Sequence, residues 1–337
     1  MRHKYTKVLY TNKAAGSLPQ LVVAENENMQ SKFVTQKILE LREQGVKLED
    51  IAVLFRSSFL SFDLEIELAK ANIPFVKYGG FKFIETAHIK DMIAYLRVLE
   101  NPRDIVAWNR ILLLIDGVGP RTAEKVIDDI QQRRAEKPDS SFWENYGSYS
   151  GGVKELFGLI KSIAPERYST ADKAERIRTY YHPLFKKRYE DYAKRKKDLD
   201  IFEQIASRYK DVGTFLADLA LEPPNESITD ITEPGSDEEY LVLSTIHSAK
   251  GLEWHSVFVI YALDGRFPAL RAAGSIDEME EERRLMYVAC TRAKENLFIT
   301  YPVNIYDRET GTILTKPSRF LDGLDENLLE PYTLDQE

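Results

Sequence analysis

Residues 240–300 read YLVLSTIHSAKGLEWHSVFVIYALDGRFPALRAAGSIDEMEEERRLMYVACTRAKENLFIT. Two β-rich apolar runs, Tyr240–Ile246 and Ser256–Tyr261, have the length and composition of strands buried in a parallel sheet. Between them lies His247-Ser248-Ala249-Lys250-Gly251-Leu252-Glu253-Trp254. This polar stretch brings hydrogen-bond donors, a cation, a glycine and a carboxylate to the carboxyl end of a strand, where open α/β sheets bind ligands. Downstream, Ser275-Ile276-Asp277-Glu278 has the spacing of a capping box, and Glu280, Glu281 and Glu282 suit the positive end of the helix it opens. The pattern predicts a helix to about Lys294, with Leu285, Val288 and Ala289 as its apolar stripe and Arg292 on the same face, then a strand over Asn296–Thr300. A guanidinium at the rim of a core either meets an anion or packs its stem and leaves its head in water.

Toward the N-terminus the same alternation appears. Gln20–Ala24, Asp50–Phe55 and Ile73–Tyr78 read as strands, with helices over Asn28–Glu43, closed by Gly45, and Leu60–Ala71. This β-α-β-α-β order is half of an open parallel sheet. From Asn101 to about Pro223 nearly every segment has helical texture, punctuated by Pro102, Pro138, Gly151-Gly152, Pro165 and Pro183. The Pro-rich stretch 221–225 and the acidic stretch 229–239 then read as a linker back to the sheet. The expected fold class is α/β, a parallel-sheet domain over 1–98 and 226–337 interrupted by a mainly α-helical domain over 99–225.

Bulk properties narrow the function. A net charge of −8 argues against a protein that coats nucleic acid by overall charge, so any such contact falls to local patches. No apolar run approaches the ~20 residues of a membrane span, and no charged-then-apolar leader is evident, so a cytoplasmic protein is expected. The basic start Met1–Lys13 is abrupt enough to suggest a piece of a longer chain. Cys290 is the single cysteine, and the five histidines lack metal-ligand spacing, so neither disulfide nor structural metal is expected. The dense basic runs Lys186-Lys187-Arg188 and Lys194-Arg195-Lys196-Lys197 are interleaved with Glu190, Asp191 and Asp198, which suits a solvated helix face better than a phosphate-contacting strip. Leu114-Ile115-Asp116-Gly117-Val118-Gly119-Pro120-Arg121-Thr122 reads as a hairpin with Pro120 opening a helix. Backbone N–H groups there can cradle an anion, although Gly-x-Gly by itself is equally a plain tight turn.

Taken together, TIHSAKGLEW at 245–254 and EEERRLMYVACTRAKENLFI at 280–299 closely resemble motifs V and VI of the UvrD/PcrA/Rep helicases. Ile51-Ala52-Val53-Leu54-Phe55-Arg56 resembles motif IV. Tyr78-Gly79-Gly80-Phe81-Lys82-Phe83, through His88-Ile89-Lys90-Asp91 to Tyr95-Leu96-Arg97, resembles the segment that follows it. The likeness covers nearly the whole chain and is thinnest in the helical insert. It implies the second of two RecA-like domains with its inserted subdomain, from the C-terminal part of a 3′-to-5′ DNA helicase that draws on ATP and acts in DNA repair or related DNA transactions.

Residue by residue, the resemblance implies that Phe55 stacks on adenine and Arg56 reaches the terminal phosphate. It also implies that Gly251 and Glu253 lie at the nucleotide, Glu253 at the ribose or through water, and that Arg292 is the arginine finger. Arg56 and Arg292 would be the catalytic pair, both meeting charge on the transferring phosphoryl group. Thr245 and His247 match positions beside a single-stranded DNA track, with Lys250 supporting the loop; a hydrogen-bonded structural histidine is an equal reading of His247. Gly117, Gly119, Arg121 and Thr122 match a hairpin that touches the duplex backbone.

ATP with Mg2+ would be held only together with a first RecA-like domain. No G-x-x-x-x-G-K-[ST] occurs in these residues; Gly119–Lys125 has the wrong spacing, and Val257–Ile260 leads to Asp264-Gly265 rather than to an acidic pair. The implied partners are single-stranded DNA, single/double-strand junctions and the N-terminal RecA-like domain, with this piece itself a monomer. The alternative is a catalytically inert DNA- or protein-binding adaptor that retains the fold.

Overall fold

The computed structural model describes residues 16–80, 82–132, 151–220, 239–307 and 310–334. The expectations for Met1–Lys13, for Pro138 and for the linker over 221–238 lie outside the described residues.

In chain order the elements are β1 (Gln20–Ala24), α1 (Glu27–Glu43), β2 (Ile51–Phe55), α2 (Phe62–Lys70), β3 (Phe75–Tyr78), α3 (Ala87–Glu100), α4 (Ile105–Leu112), α5 (Pro120–Gln131), α6 (Gly151–Ile163) and α7 (Thr170–Arg188). There follow α8 (Tyr192–Ala206), α9 (Val212–Ala220), β4 (Leu241–Thr245), β5 (Trp254–Val259), α10 (Ile276–Cys290), β6 (Ala293–Pro302), β7 (Ile305–Asp307), β8 (Thr312–Leu314) and β9 (Glu330–Thr333). The described residues fall into two compact units, those of Met1–Phe81 with Glu222–Glu337 and those of Lys82–Leu221.

The first unit is built on a seven-stranded sheet in the order β3-β4-β2-β5-β6-β1-β9, parallel at every pairing. All five residues of β2 are buried, because this central strand is covered on both faces. Ile51, Val53 and Phe55 pack with Phe33, Val34, Ile38 and Leu41 of α1 and Leu64 and Leu68 of α2. Ala52 and Leu54 pack on the other side with Leu285, Met286 and Ala289 of α10. Burial on both faces is why the strand reads as an unbroken apolar run instead of alternating. Asn26 caps α1 by accepting the Met29 N–H at 2.9 Å, and Gly45 ends the helix at φ +90°, a conformation that costs glycine no Cβ clash.

Two boundaries differ from those expected. α10 stops at Cys290 instead of about Lys294, and β6 begins at Ala293 instead of Asn296. The ladder captures this stretch: Ala293 pairs with Trp254, and the Trp254 N–H donates to the Arg292 carbonyl at 2.9 Å, a bond that the helix cannot offer. Arg292 therefore sits in the joint after the helix rather than in its last turn. The buried stripe is Leu285, Met286 and Ala289, with Val288 only half-buried. Cys290 packs beside this cluster, where burial pushes its thiol up to about 11 and keeps it neutral and unreactive.

The second unit is helical. Pro183 lies inside α7 and so does not break a helix as its composition suggested, whereas Gly151-Gly152 opens α6. α3 packs on α4, α7, α8 and α9 and so groups with this unit, whereas the sequence-based division put residues 87–98 with the sheet. Buried Asp91 on α3 accepts from Tyr181 at 2.5 Å, Tyr189 at 3.1 Å and Arg110 at 2.7 Å, tying α3 to α7 and α4. Burial, and then the Asp91 carboxylate, push the Tyr181 phenol far up, so it stays a donor. No helix among the described residues is long and apolar enough to cross a membrane.

Candidate functional site

In the sheet unit, β2, β3 and β4 end side by side, with Phe55 opposite Thr245 and Tyr78 opposite Ser244. Thr245 anchors the turn that follows β4. Its hydroxyl donates to Ser248 Oγ at 3.0 Å and accepts the Ser248 N–H at 3.4 Å, while its carbonyl accepts the Ala249 N–H at 3.1 Å. His247 and Lys250 are exposed, and neither side chain has a partner among the described residues. An imidazole held in water is available to a phosphate in a way that a core histidine is not.

The chain then runs back across the sheet end to end. Gly251 (φ +89°), Leu252 and Glu253 are exposed and lead into β5, and the Leu252 carbonyl meets Arg292. Arg292 donates from Nη1 to Leu252 O at 2.7 Å, from Nε to Val288 O at 3.1 Å and from Nη2 to Thr291 Oγ1 at 3.1 Å. A guanidinium has five N–H donors. Three are spent on neutral acceptors that fix its plane, and two remain. No carboxylate pairs with it among the described residues, and exposed Glu253, the residue after Leu252, has no partner there either. The result is an oriented, uncompensated cation.

Arg56 is in a different state. Its Nε reaches both oxygens of Glu282 at 2.8 and 3.0 Å and its Nη2 reaches one at 2.6 Å, with the side chains 13% and 5% exposed. Glu282 also accepts the Ala269 N–H at 3.3 Å. One edge of the Arg56 fork is thus filled by a buried carboxylate, and only the Nη1 edge is left.

Two expectations need correcting here. Stacking on adenine requires an open ring face, and Phe55 has none: it is 0% exposed, inside the core with the Lys77 ammonium 5.8 Å from its ring centre. The expected catalytic pair is also split, because Arg56 and Arg292 leave opposite ends of the sheet. Arg56 follows the C-terminal end of β2, where Leu54 is level with Val259, whereas Arg292 precedes Ala293, which is level with Trp254. Their backbones are therefore separated by the length of β5, six residues, or roughly 20 Å at strand spacing.

In the helical unit the predicted hairpin joins α4 to α5. Gly117 takes φ +76°, the Val118 N–H donates to Ile115 O at 3.1 Å, and Gly119 caps α5 with Pro120 at its first position. Val118 is buried, while Gly117, Gly119 and Arg121 are exposed and Thr122 is half-buried. Lys187 reaches Asp116 at 2.7 Å, so the basic end of α7 lies against this turn.

Sequence reasoning missed Glu282 as the partner of Arg56 and missed Lys77 altogether. Lys77 Nζ is buried, donating to Glu65 Oε1 at 2.6 Å and to Ser58 O at 3.2 Å and sitting 4.6 Å from the Phe62 ring centre. The available signal was strand parity: Lys77 shares a face with Phe75, which points into the core.

Comparison with known proteins matches residues 1–304 to the UvrD-like helicase C-terminal domain. A probable DNA helicase II homolog of Mycoplasma capricolum is 33% identical over 96% of this chain and 46% of its own length. The ATP-dependent DNA helicase PcrA of Staphylococcus aureus is 31% identical over 97% of this chain and 46% of its own. The chain thus spans about half the length of the curated relatives that it matches.

Proposed function

The chain belongs to the UvrD-like helicase C-terminal domain family, and from that premise we propose that it supplies the second RecA-like half, with its helical insert, of an ATP-dependent 3′-to-5′ DNA helicase. The observation that carries this reading is Arg292, a guanidinium fixed by three neutral acceptors, with two N–H groups unspent and no carboxylate among the described residues to neutralise it. Such a group fits an anion of the phosphoryl type.

ATP with Mg2+, bound against a first RecA-like domain, supplies the phosphoryl group that is transferred. Arg292 contributes positive charge where the equatorial oxygens gather negative charge, and its anchors spare it any reorganisation. Exposed Glu253, which follows the Leu252 that anchors Arg292, accepts from a ribose hydroxyl or a water. Arg56 stands at the Thr245 end of the strands with one edge of its fork filled by Glu282 and is left out of these phosphoryl contacts, and Phe55 takes no part in base stacking. At the other end of the strands, Thr245, His247 and Lys250 hold phosphates of a single strand without reading its sequence. In the helical unit, Gly117, Gly119, Arg121 and Thr122 touch the duplex backbone at a junction.

A further test follows from the half-site. The chain on its own should neither hydrolyse ATP nor bind it tightly, because phosphate affinity needs a phosphate loop and a Mg2+ site, and neither motif occurs in these residues. Robust DNA-stimulated ATP hydrolysis by the purified chain would sink this assignment. Binding of an oligothymidylate should be weak and indifferent to sequence. With about three phosphates engaged, the slope of log K against log salt should be about −2. Titrations at several salt concentrations measure it, and sequence-selective binding that persists at high salt contradicts the reading.

A further inference from the structure

The corner after β3 is packed more closely than a simple turn requires. A Cβ placed on Gly79 would lie 2.7 Å from Thr245 Cγ2 and 2.9 Å from Ser248 Oγ, and closer still to Thr245 Oγ1. On Gly80 it would lie 2.8 Å from Ser58 Cβ and closer still to Ser58 Oγ. Real side chains do not approach this near, so the absence of both Cβ atoms is what lets the turns after β4 and β2 close on this corner. Gly79 also holds φ +85°, which L side chains rarely adopt. Two residues earlier, at the end of β3, Lys77 Nζ donates to the Ser58 carbonyl at 3.2 Å. One short stretch therefore meets both neighbouring strand-end turns.

We propose that Lys77-Tyr78-Gly79-Gly80 is a positioning clamp that fixes the Ser58 and Thr245–Ser248 turns in the geometry that receives a single strand's phosphates. The proposal rests on the assignment of Thr245 and His247 to the single-strand track. The clamp itself touches no DNA. It sets where the Thr245 and Ser248 hydroxyls and the exposed His247 stand, and phosphate contacts of this kind depend on donors held in place beforehand. Gly45 provides the control, since it has φ +90° but nothing within 4 Å of where a Cβ would stand. Alanine there meets the same backbone strain without the collision.

The experiment compares the wild-type chain with Gly79→Ala and Gly45→Ala, by amide hydrogen exchange and by titration of a fluorescein-labelled oligothymidylate across salt concentrations. In Gly79→Ala, exchange over residues 245–251 should quicken by about tenfold or more. The salt slope should shrink by about 0.7 for each phosphate that the chain no longer engages. Gly45→Ala should change neither. If Gly79→Ala does not fold, Gly80→Ala decides the same question through exchange over residues 56–61. Wild-type exchange in the loop facing the substituted glycine overturns the clamp and leaves the DNA assignment standing. Faster exchange with unchanged affinity and slope overturns the Thr245 contact, and the clamp's role falls with it.

Discussion

In a full-length protein that carries this chain, Arg292→Ala should lower ATP turnover by about 10³- to 10⁵-fold, the range that arginine fingers supply. Affinity for single-stranded DNA should stay close to wild type. The size of the effect follows from the way the side chain is held. Its Nε, Nη1 and Nη2 each rest on a neutral acceptor at 2.7–3.1 Å, so the fork needs no reordering before it meets charge on the phosphoryl group. The loss should appear mainly in turnover, with a smaller change in nucleotide binding, because the charge it meets is greatest in the transition state. Arg292→Lys should recover little. An ammonium cannot bond the Val288 and Leu252 carbonyls and Thr291 while also presenting a planar edge. The alanine variant is also safe for the fold, since removing a cation with no carboxylate partner among the described residues strands no buried charge. Near-normal turnover in Arg292→Ala would show that the joint between α10 and β6 is not the finger. Arg56→Ala is a different experiment: it would leave Glu282, 5% exposed, without its guanidinium, so a fall in melting temperature should accompany any loss of turnover.

Lys77→Met should destabilise the sheet unit by about 3–5 kcal/mol, the range found when one partner of a buried ion pair is removed. Lys77 and Glu65 are 1% and 6% exposed at the side chain and meet at 2.6 Å, so neither charge has water to fall back on. Ser61 also donates to Glu65 at 2.7 Å. The ammonium in addition faces the rings of Phe62 and Phe55, so its loss removes cation–π attraction at the same place. Changing both partners together, as Lys77→Met with Glu65→Leu, should restore much of the stability, because paired buried charges are often replaced by packed apolar groups without loss. Hydrogen exchange of the β2 amides, at the centre of the sheet, reports the change. A loss below about 1 kcal/mol for Lys77→Met would mean that the pair is screened like a surface bridge, contrary to its burial.

The alternation of strands and helices, the helical insert and the segments that carry the family likeness are all written along the chain. These are local properties. A strand buried on both faces is apolar throughout, a helix keeps its stripe at 3.6-residue spacing, and glycine marks the places where φ turns positive. Arg292, His247, Glu253 and the Gly117–Gly119 hairpin could be proposed for the same reason, since each lies within a short recognisable string. The tertiary structure alone decided what those residues face. Arg56 and Glu282 are 226 residues apart in the chain, and nothing near either one announces the other. The crowding of Gly79 against Thr245 depends on strands β3 and β4 becoming neighbours across the whole helical insert. Phe55 left no sign in sequence that its ring would be sealed in the core, because an aromatic at a strand end is equally suited to packing and to stacking. The end of α10 was misplaced by the same kind of non-local cause: its last turn competes with a ladder bond to Trp254, and a parallel partner strand is invisible to any pattern read along one segment. Periodicity fixes which face of an element is buried, but only chain closure fixes what that face meets.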